Sequence, residues 1–373
     1  MKAVQWIAGA AVAAAAVGAA HAGQIVVGQV GPMSGLEATQ GRGYAAGMQL
    51  AFQAANAAGG VNGNTFALVR KDDGGRPEDT IAATKQLLDQ DKPLVLAGFF
   101  GNRNIADLVS SGVLEKERIP LVGYRVAEIR PETPYLYNVR ANLRDEINKL
   151  TEHLSTIGIT RLGLLYEEGP GAPALLAATD EAAAKAKATI LAKASYATGT
   201  AKLDPAIKTL MAAKPQAIIM VATGAAAAAF IEGYRAEGGK AQLFAHSGAD
   251  IEQIAKRLAE EQMQGLAIAQ VTPSPYKISS RLTKEFLDAV AKADKLEVPA
   301  SYAMMEGYIA AKVIVEAVRR QGAKPTREGM VAALDAMDSY DLGGYIVGFK
   351  PNARTGSHFV ELSIVSGTGK IRQ

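Results

Sequence analysis

Residues 25–35 read IVVGQVGPMSG. Residues 25–30 are apolar except for Gln29 and rich in β-branched side chains, as a buried strand requires, and Gly31-Pro32 turns the chain into a loop. A helical pattern follows over residues 44–58 and stops at Gly59-Gly60. Working outward, the same alternation recurs. Residues 65–71 read as a strand, and Pro77, Glu78 and Asp79 suit the first turn of a helix running to Asp89. Residues 94–100 form a strand, 105–115 a helix and 120–123 a short buried strand. A second series has helices at 145–157, 172–188, 205–213 and 225–238. Its strands fall at 161–166, 189–195, 216–221, 242–245 and 266–271. Three helices follow at 279–293, 302–321 and 326–337, with Thr326 as N-cap. Residues 345–349 and 358–365 read as two final strands.

Strand–helix–strand repeats require parallel sheets covered by helices on both faces. A chain of 373 residues exceeds what one core usually serves. The fold class is therefore α/β, with two Rossmann-like lobes facing each other. Ligands of open parallel sheets bind beyond the carboxyl ends of the strands, so apposed edges form a cleft that closes by hinge motion.

Upstream, Lys2, an apolar run over residues 4–20 and Ala20-His21-Ala22 have the layout of a cleaved secretory signal. The run has about 17 residues, at the lower limit for a spanning helix. The mature chain is expected to start at Gly23, outside the cytoplasm. Cysteine is absent, which rules out disulfides, thiolate chemistry and lipid attachment through an N-terminal cysteine. The net charge of +3 comes from scattered Lys and Arg, which argues against nucleic acid as a partner.

Catalytic patterns are missing from the sequence. His153, His246 and His358 are isolated, and only His246 ends a strand on the expected cleft edge. No zinc-protease, nucleophile-elbow or phosphate-loop spacing occurs. Gly41-x-Gly43-x-x-x-Gly47 lies too far from its strand for a dinucleotide fingerprint, and its glycines fit close helix packing instead. Asp72-Asp73 reads as a solvated turn and cap. No metal, cofactor or catalytic residue is expected.

The candidate ligand contacts are the loops after strands. Gly101, Asn102, Arg103 and Asn104 precede a helix, so their amides lie at a positive dipole end suited to a carboxylate. Tyr124 and Arg125 follow the next strand. Arg125 offers a planar fork for a carboxylate; an ion pair between the lobes is its other possible role. Gly171, Thr223 and Ser247 occupy the matching edges of the second lobe.

Val30-Gly31-Pro32-Met33-Ser34-Gly35, then Gly41-Arg42-Gly43, Asn56 to Gly63, Asp72-Asp73, Glu306-Gly307-Tyr308 and Gly343-Gly344 resemble type I periplasmic binding proteins. The resemblance is to the leucine/isoleucine/valine-binding group that feeds ABC importers. It implies three crossings between lobes, near residues 139–142, 271–275 and 347–350. The lobes would then comprise residues 23–140 plus 272–347 and 141–271 plus 348–373. It places the family's aromatic contact at Gln40 and its acid for the ligand ammonium near Ser247, so this chain departs from that pattern at both. The implied solute is an amino acid or an organic or aromatic carboxylate, and the implied partner is a membrane permease. The protein is expected to be periplasmic and to act as a monomer. A secreted hydrolase and a sensor subunit of a membrane receptor are the alternatives.

Overall fold

The computed structural model describes residues 23–365 and 371–372; the expected signal, residues 1–22, lies outside them. The first sheet takes β1 (Gly23–Gly31), β2 (Asn64–Asp72), β3 (Val95–Phe100), β4 (Leu121–Arg125) and β5 (Leu136–Tyr137). Between them run α1 (Ala38–Ala57), α2 (Pro77–Asp91), α3 (Asn102–Ser110) and α4 (Val113–Glu117). The order is β2-β1-β3-β4-β5, all parallel. The second sheet is built from β6 (Arg161–Glu167), β7 (Thr189–Tyr196), β8 (Ala217–Val221), β9 (Gln242–Ala245) and β10 (Ala267–Gln270). Its helices are α5 (Leu143–Thr156), α6 (Ala172–Lys185), α7 (Asp204–Ala213), α8 (Gly224–Ala236), α9 (Ile251–Arg257) and α10 (Glu260–Met263). Last come α11 (Arg281–Lys292), α12 (Tyr302–Gln321), α13 (Arg327–Asp335) and four short strands. These are β11 (Tyr340–Asp341), β12 (Ile346–Val347), β13 (Glu361–Val365) and β14 (Ile371–Arg372). The second sheet runs β14-β13-β10-β9-β8-β6-β7, with β13 antiparallel to β10. Two lobes with parallel sheets, the expected architecture, are what the chain forms.

Each sheet is covered on both faces. One face of the first sheet packs in a core shared with α1, α11 and α12, and the other packs against α2 and α3. The tightest helix pair is α1 on α12. A Cβ added at Gly47 would overlap the Met304 carbonyl, and one at Gly307 the Tyr44 carbonyl. Gly47 of α1 and Gly307 of α12 thus let the two helix backbones approach closely, as the glycine spacing implied.

Local boundaries differ from expectation in instructive ways. α1 starts at Ala38 rather than Tyr44; Gly41 and Gly43 lower intrinsic helix preference, and packing on α12 overrides it. The helix expected over residues 105–115 is two, broken at Gly112, whose φ is +67°. The strand expected from residue 358 begins at Glu361. Thr326 does cap α13, accepting from the Gly329 amide at 2.9 Å.

The chain leaves the first sheet after β5, leaves the second after β10 for α11–α13 and the separate β11–β12 pair, and rejoins the second sheet at β13. The hydroxyl of Tyr345 lies 2.9 Å from the Val139 carbonyl and 2.9 Å from the Val271 carbonyl, which ties the three passages together.

Candidate functional site

A cavity of about 270 Å³ lies where the carboxyl ends of both sheets meet. β3, β4, β6, β7, β8 and β9 all end toward it, which brings Phe100, Arg125, Glu167, Thr198, Thr223 and His246 to its walls. This is the edge at which open parallel sheets bind ligands. Its volume lies near the lower bound of about 300 Å³ for small-molecule sites.

Of the residues expected from sequence, Gln40, Gly101, Asn102, Arg103, Asn104, Arg125 and Thr223 line the cavity. Gly101 adopts φ +97° at the start of α3, where a Cβ would run into the Asn104 side chain. No side chain caps α3, so its first amides remain available to a solute. Asn104 donates to Thr80 Oγ at 2.7 Å, and that hydroxyl donates to Asp73 at 2.7 Å. Asp73 is therefore buried rather than solvated, while exposed Asp72 accepts from the Met33, Ser34 and Gly74 amides. Both carboxylates of the turn shape the cleft loops.

Three expected residues sit elsewhere. Tyr124 packs against the apolar layer that includes Phe99 and Ile105, and burial pushes its hydroxyl up to about 12. Gly171 lies against Glu128, whose carboxylate a Cβ would strike. Ser247 is buried, donating to Glu146 at 3.0 Å and accepting from Arg140. Gly171 and Ser247 follow strands, whereas Tyr124, expected after one, lies within β4, where the pleat turns its side chain to the core.

Arg125 joins both lobes. It is 5% exposed, with Nε 3.1 Å from Glu306 Oε2 and Nη1 3.6 Å from Asp250 Oδ2, and it also donates to Gln40. Burial works against its charge, but Glu306 and then Asp250 offset this and hold its pKa above the ordinary value. Arg140 completes the cluster, 2.8 Å from Glu146 and 3.4 Å from Glu306. Both guanidinium groups line the cavity. His246 accepts from the Gly248 amide at Nδ1 (3.2 Å), with Nε2 3.0 Å from the Ala222 carbonyl. Burial lowers its pKa, so it is a neutral structural element of the wall.

Further hydrogen bonds span the cleft. Gln40 donates to Gln253 Oε1 at 3.1 Å, Gln253 donates to the Leu36 carbonyl at 2.8 Å, and Asn102 donates to Glu167 at 2.9 Å. Glu37, not singled out from sequence, and Glu167, which lies on an edge of the second lobe expected from sequence, line the cavity, and burial raises each to about 7. Arg140, Thr198 and Thr200 were missed as well. The two threonines follow β7, and the same loop-after-strand rule could have found them. Among the described residues there is no cluster of metal-ligating side chains and no helix long and apolar enough to cross a membrane.

Comparison with known proteins agrees with this geometry. A solved substrate-binding periplasmic protein from Ralstonia solanacearum is 38% identical, with TM-score 0.88 over 94% of this chain and 99% of that one. A structure described as a possible leucine/isoleucine/valine-binding protein from Rhodopirellula baltica SH 1 is 22% identical. It has TM-score 0.87 over 95% and 97% of the two chains, a likeness of fold. An amino acid binding protein of Pseudomonas aeruginosa is 40% identical over 76 residues, a match spanning 20% of this chain and 20% of that relative. The sequence model of the family described as periplasmic binding protein matches residues 24–367, and the chain belongs to that family.

Proposed function

We propose that this periplasmic binding protein captures a small amino-acid-like or carboxylate solute between its lobes and delivers it to the membrane permease of an ABC importer. The carrying observation is the 270 Å³ cavity at the apposed carboxyl ends of two parallel sheets. The uncapped amides of α3 and the guanidinium of Arg125 offer the carboxylate its donors. Gln40, Gly101, Asn102, Arg103, Asn104, Arg125 and Thr223 are the proposed contacts. Tyr124, Gly171 and Ser247 support the walls. Residues 23–140 plus 272–347 act as one lobe and residues 141–271 plus 348–373 as the other. A solute touching both favours the closed arrangement, and the importer reads that state. The family and fold are those of solute-binding proteins rather than enzymes, so no catalytic residue is assigned.

Small-angle scattering on the protein saturated with a binding solute tests the mechanism. A reduced radius of gyration and one site per chain by calorimetry are expected. An unchanged profile at saturation refutes lobe closure.

A further inference from the structure

We infer that α9 clamps the two lobes together and that Glu252 releases the clamp when it ionises, so that closing takes up a proton. α9 covers the second sheet, with Ile251 and Ile254 in that lobe's core, yet its polar side chains reach the other lobe. Asp250, its N-cap, lies 3.6 Å from Arg125 of β4. Gln253 accepts from Gln40 at 3.1 Å and donates to the Leu36 carbonyl at 2.8 Å, and Lys256 lies 3.4 Å from the Thr39 hydroxyl. Glu252 grips the start of α12. Its Oε1 accepts from the Tyr302 amide at 2.9 Å and from the Tyr276 hydroxyl. Tyr302 reaches back the other way. Its helix packs on the first sheet, while its ring lies in the core of the second lobe, edge-on to Tyr276 and with its hydroxyl 3.2 Å from Ser363 of β13.

None of these contacts needs a solute, and Glu252 is the weak point among them. Its Oε2 is buried without a hydrogen-bond partner among the described residues, and an ionised carboxylate so placed is costly. The groups around it set the sign. On its own helix Asp250 adds negative charge, and Lys256 reaches Thr39. From the chain after β10 comes the Tyr276 hydroxyl, and from α12 the Tyr302 amide. Arg125 of β4 also feels Glu252, but Glu306 and Asp250 already match its charge.

Burial, and then Asp250, push Glu252 up to about 8 from an ordinary 4.5, against the pull of its hydrogen bonds from Tyr276 and Tyr302. Swung clear of both tyrosines, the carboxyl is solvated and returns toward its ordinary value. The clamped arrangement thus binds the proton more tightly. Its advantage is complete below about pH 4.5 and is lost as pH rises through 8. Within that window each pH unit shifts the balance between clamped and released by up to about tenfold. A solute that closes the lobes must drive the same proton uptake, so acid aids capture and alkali aids release. Glu37 and Glu167, at about 7 in the cleft, add to the shift. Their partners are Gln40, Ala225 and Asn102, so the Tyr302 amide reports on Glu252 rather than on them.

The test uses the mature protein without solute, so its outcome is independent of the solute reading above. Hydrogen exchange is read by mass spectrometry on the peptide containing Tyr302 and corrected for the intrinsic rate. Protection there should fall by about tenfold or more between pH 6 and pH 9, and small-angle scattering should show the protein expanding over the same range. Glu252→Gln keeps an acceptor oxygen and cannot ionise, so its protection should change by less than about threefold. Gln253→Ala should lower protection at every pH and leave the pH dependence in place. Tyr276→Phe, at an exposed residue, removes a donor that favours the ionised form, so its loss of protection should move to higher pH. Parent protection that ignores pH, or a Glu252→Gln variant that keeps the parent's dependence, overturns the inference. Loss of protection without expansion also overturns it, because the clamp would then open without freeing the lobes. If Glu252→Gln does not fold, Tyr276→Phe decides: an upward shift supports the clamp, and an unshifted midpoint overturns it.

Discussion

Replacing Arg125 by methionine should lower the melting temperature of the solute-free protein by about 4 °C. Arg125 is 5% exposed, 3.1 Å from Glu306 and 3.6 Å from Asp250. Removing one partner of a buried pair strands the other charge and costs about 3–5 kcal/mol. The lower figure applies, because Glu306 keeps Arg140 at 3.4 Å and Asp250 keeps the Gln253 amide at 2.8 Å. A chain of 373 residues whose lobes unfold together has an unfolding entropy of about 0.8 kcal/mol/K, so 3 kcal/mol becomes about 4 °C. Differential scanning calorimetry at pH 7 reads this directly. Arg103→Met is the control, since its pair with Asp107 is largely exposed and should move the midpoint by about 1 °C or less. Adding Glu306→Gln to Arg125→Met should restore part of the loss, because the half-matched carboxylate is gone while Arg140 keeps Glu146 at 2.8 Å. A midpoint for Arg125→Met within about 1 °C of the parent would refute the buried-pair account.

Two other outcomes follow from packing and titration. Glu37 and Glu167 sit at about 7 and Glu252 at about 8, against an ordinary 4.5. The folded state therefore binds these protons more tightly. Their stabilisation is complete below about pH 4.5 and is lost as pH rises through 7 to 8. At about 3 kcal/mol for each raise from 4.5 to 7, the solute-free protein should melt several degrees higher at pH 5 than at pH 8. A flat or rising profile across that window contradicts the burial of these carboxyls. Gly47→Ala, whose Cβ would overlap the Met304 carbonyl, should abolish the folded protein or lower its midpoint far more than Gly169→Ala, which meets nothing. Equal midpoints in the two variants would show that α1 and α12 can separate freely.

The fold was legible because its signals are local. Apolar strands such as residues 216–221 alternate with amphipathic helices, and that alternation admits few topologies. The loops after strands were legible for the same reason, which is how Asn102 and Arg125 reached the candidate set. What escaped was anything whose place depends on contacts between distant residues. Glu306 lies within a helix, 181 positions from the Arg125 it neutralises, and Arg140 lies on a passage between lobes rather than at a strand end. Glu37 stands just before a helix that starts six residues earlier than its glycines suggested. Tyr124 and Arg125 are neighbours in sequence, yet pleating sends one into the core and the other to the cleft.

Tyr345 has a consequence for how the lobes move. A phenol carries one proton, and two carbonyls stand 2.9 Å from it, on different passages of the chain. In the closure proposed above, the hydroxyl can turn its one donated bond from one carbonyl to the other, so the joint can keep a bond in either arrangement. Such a joint would serve as a swivel rather than a spring, because changing the acceptor breaks no net hydrogen bond. The preference for open or closed then falls to the groups facing each other across the cleft and to whatever solute lies between them.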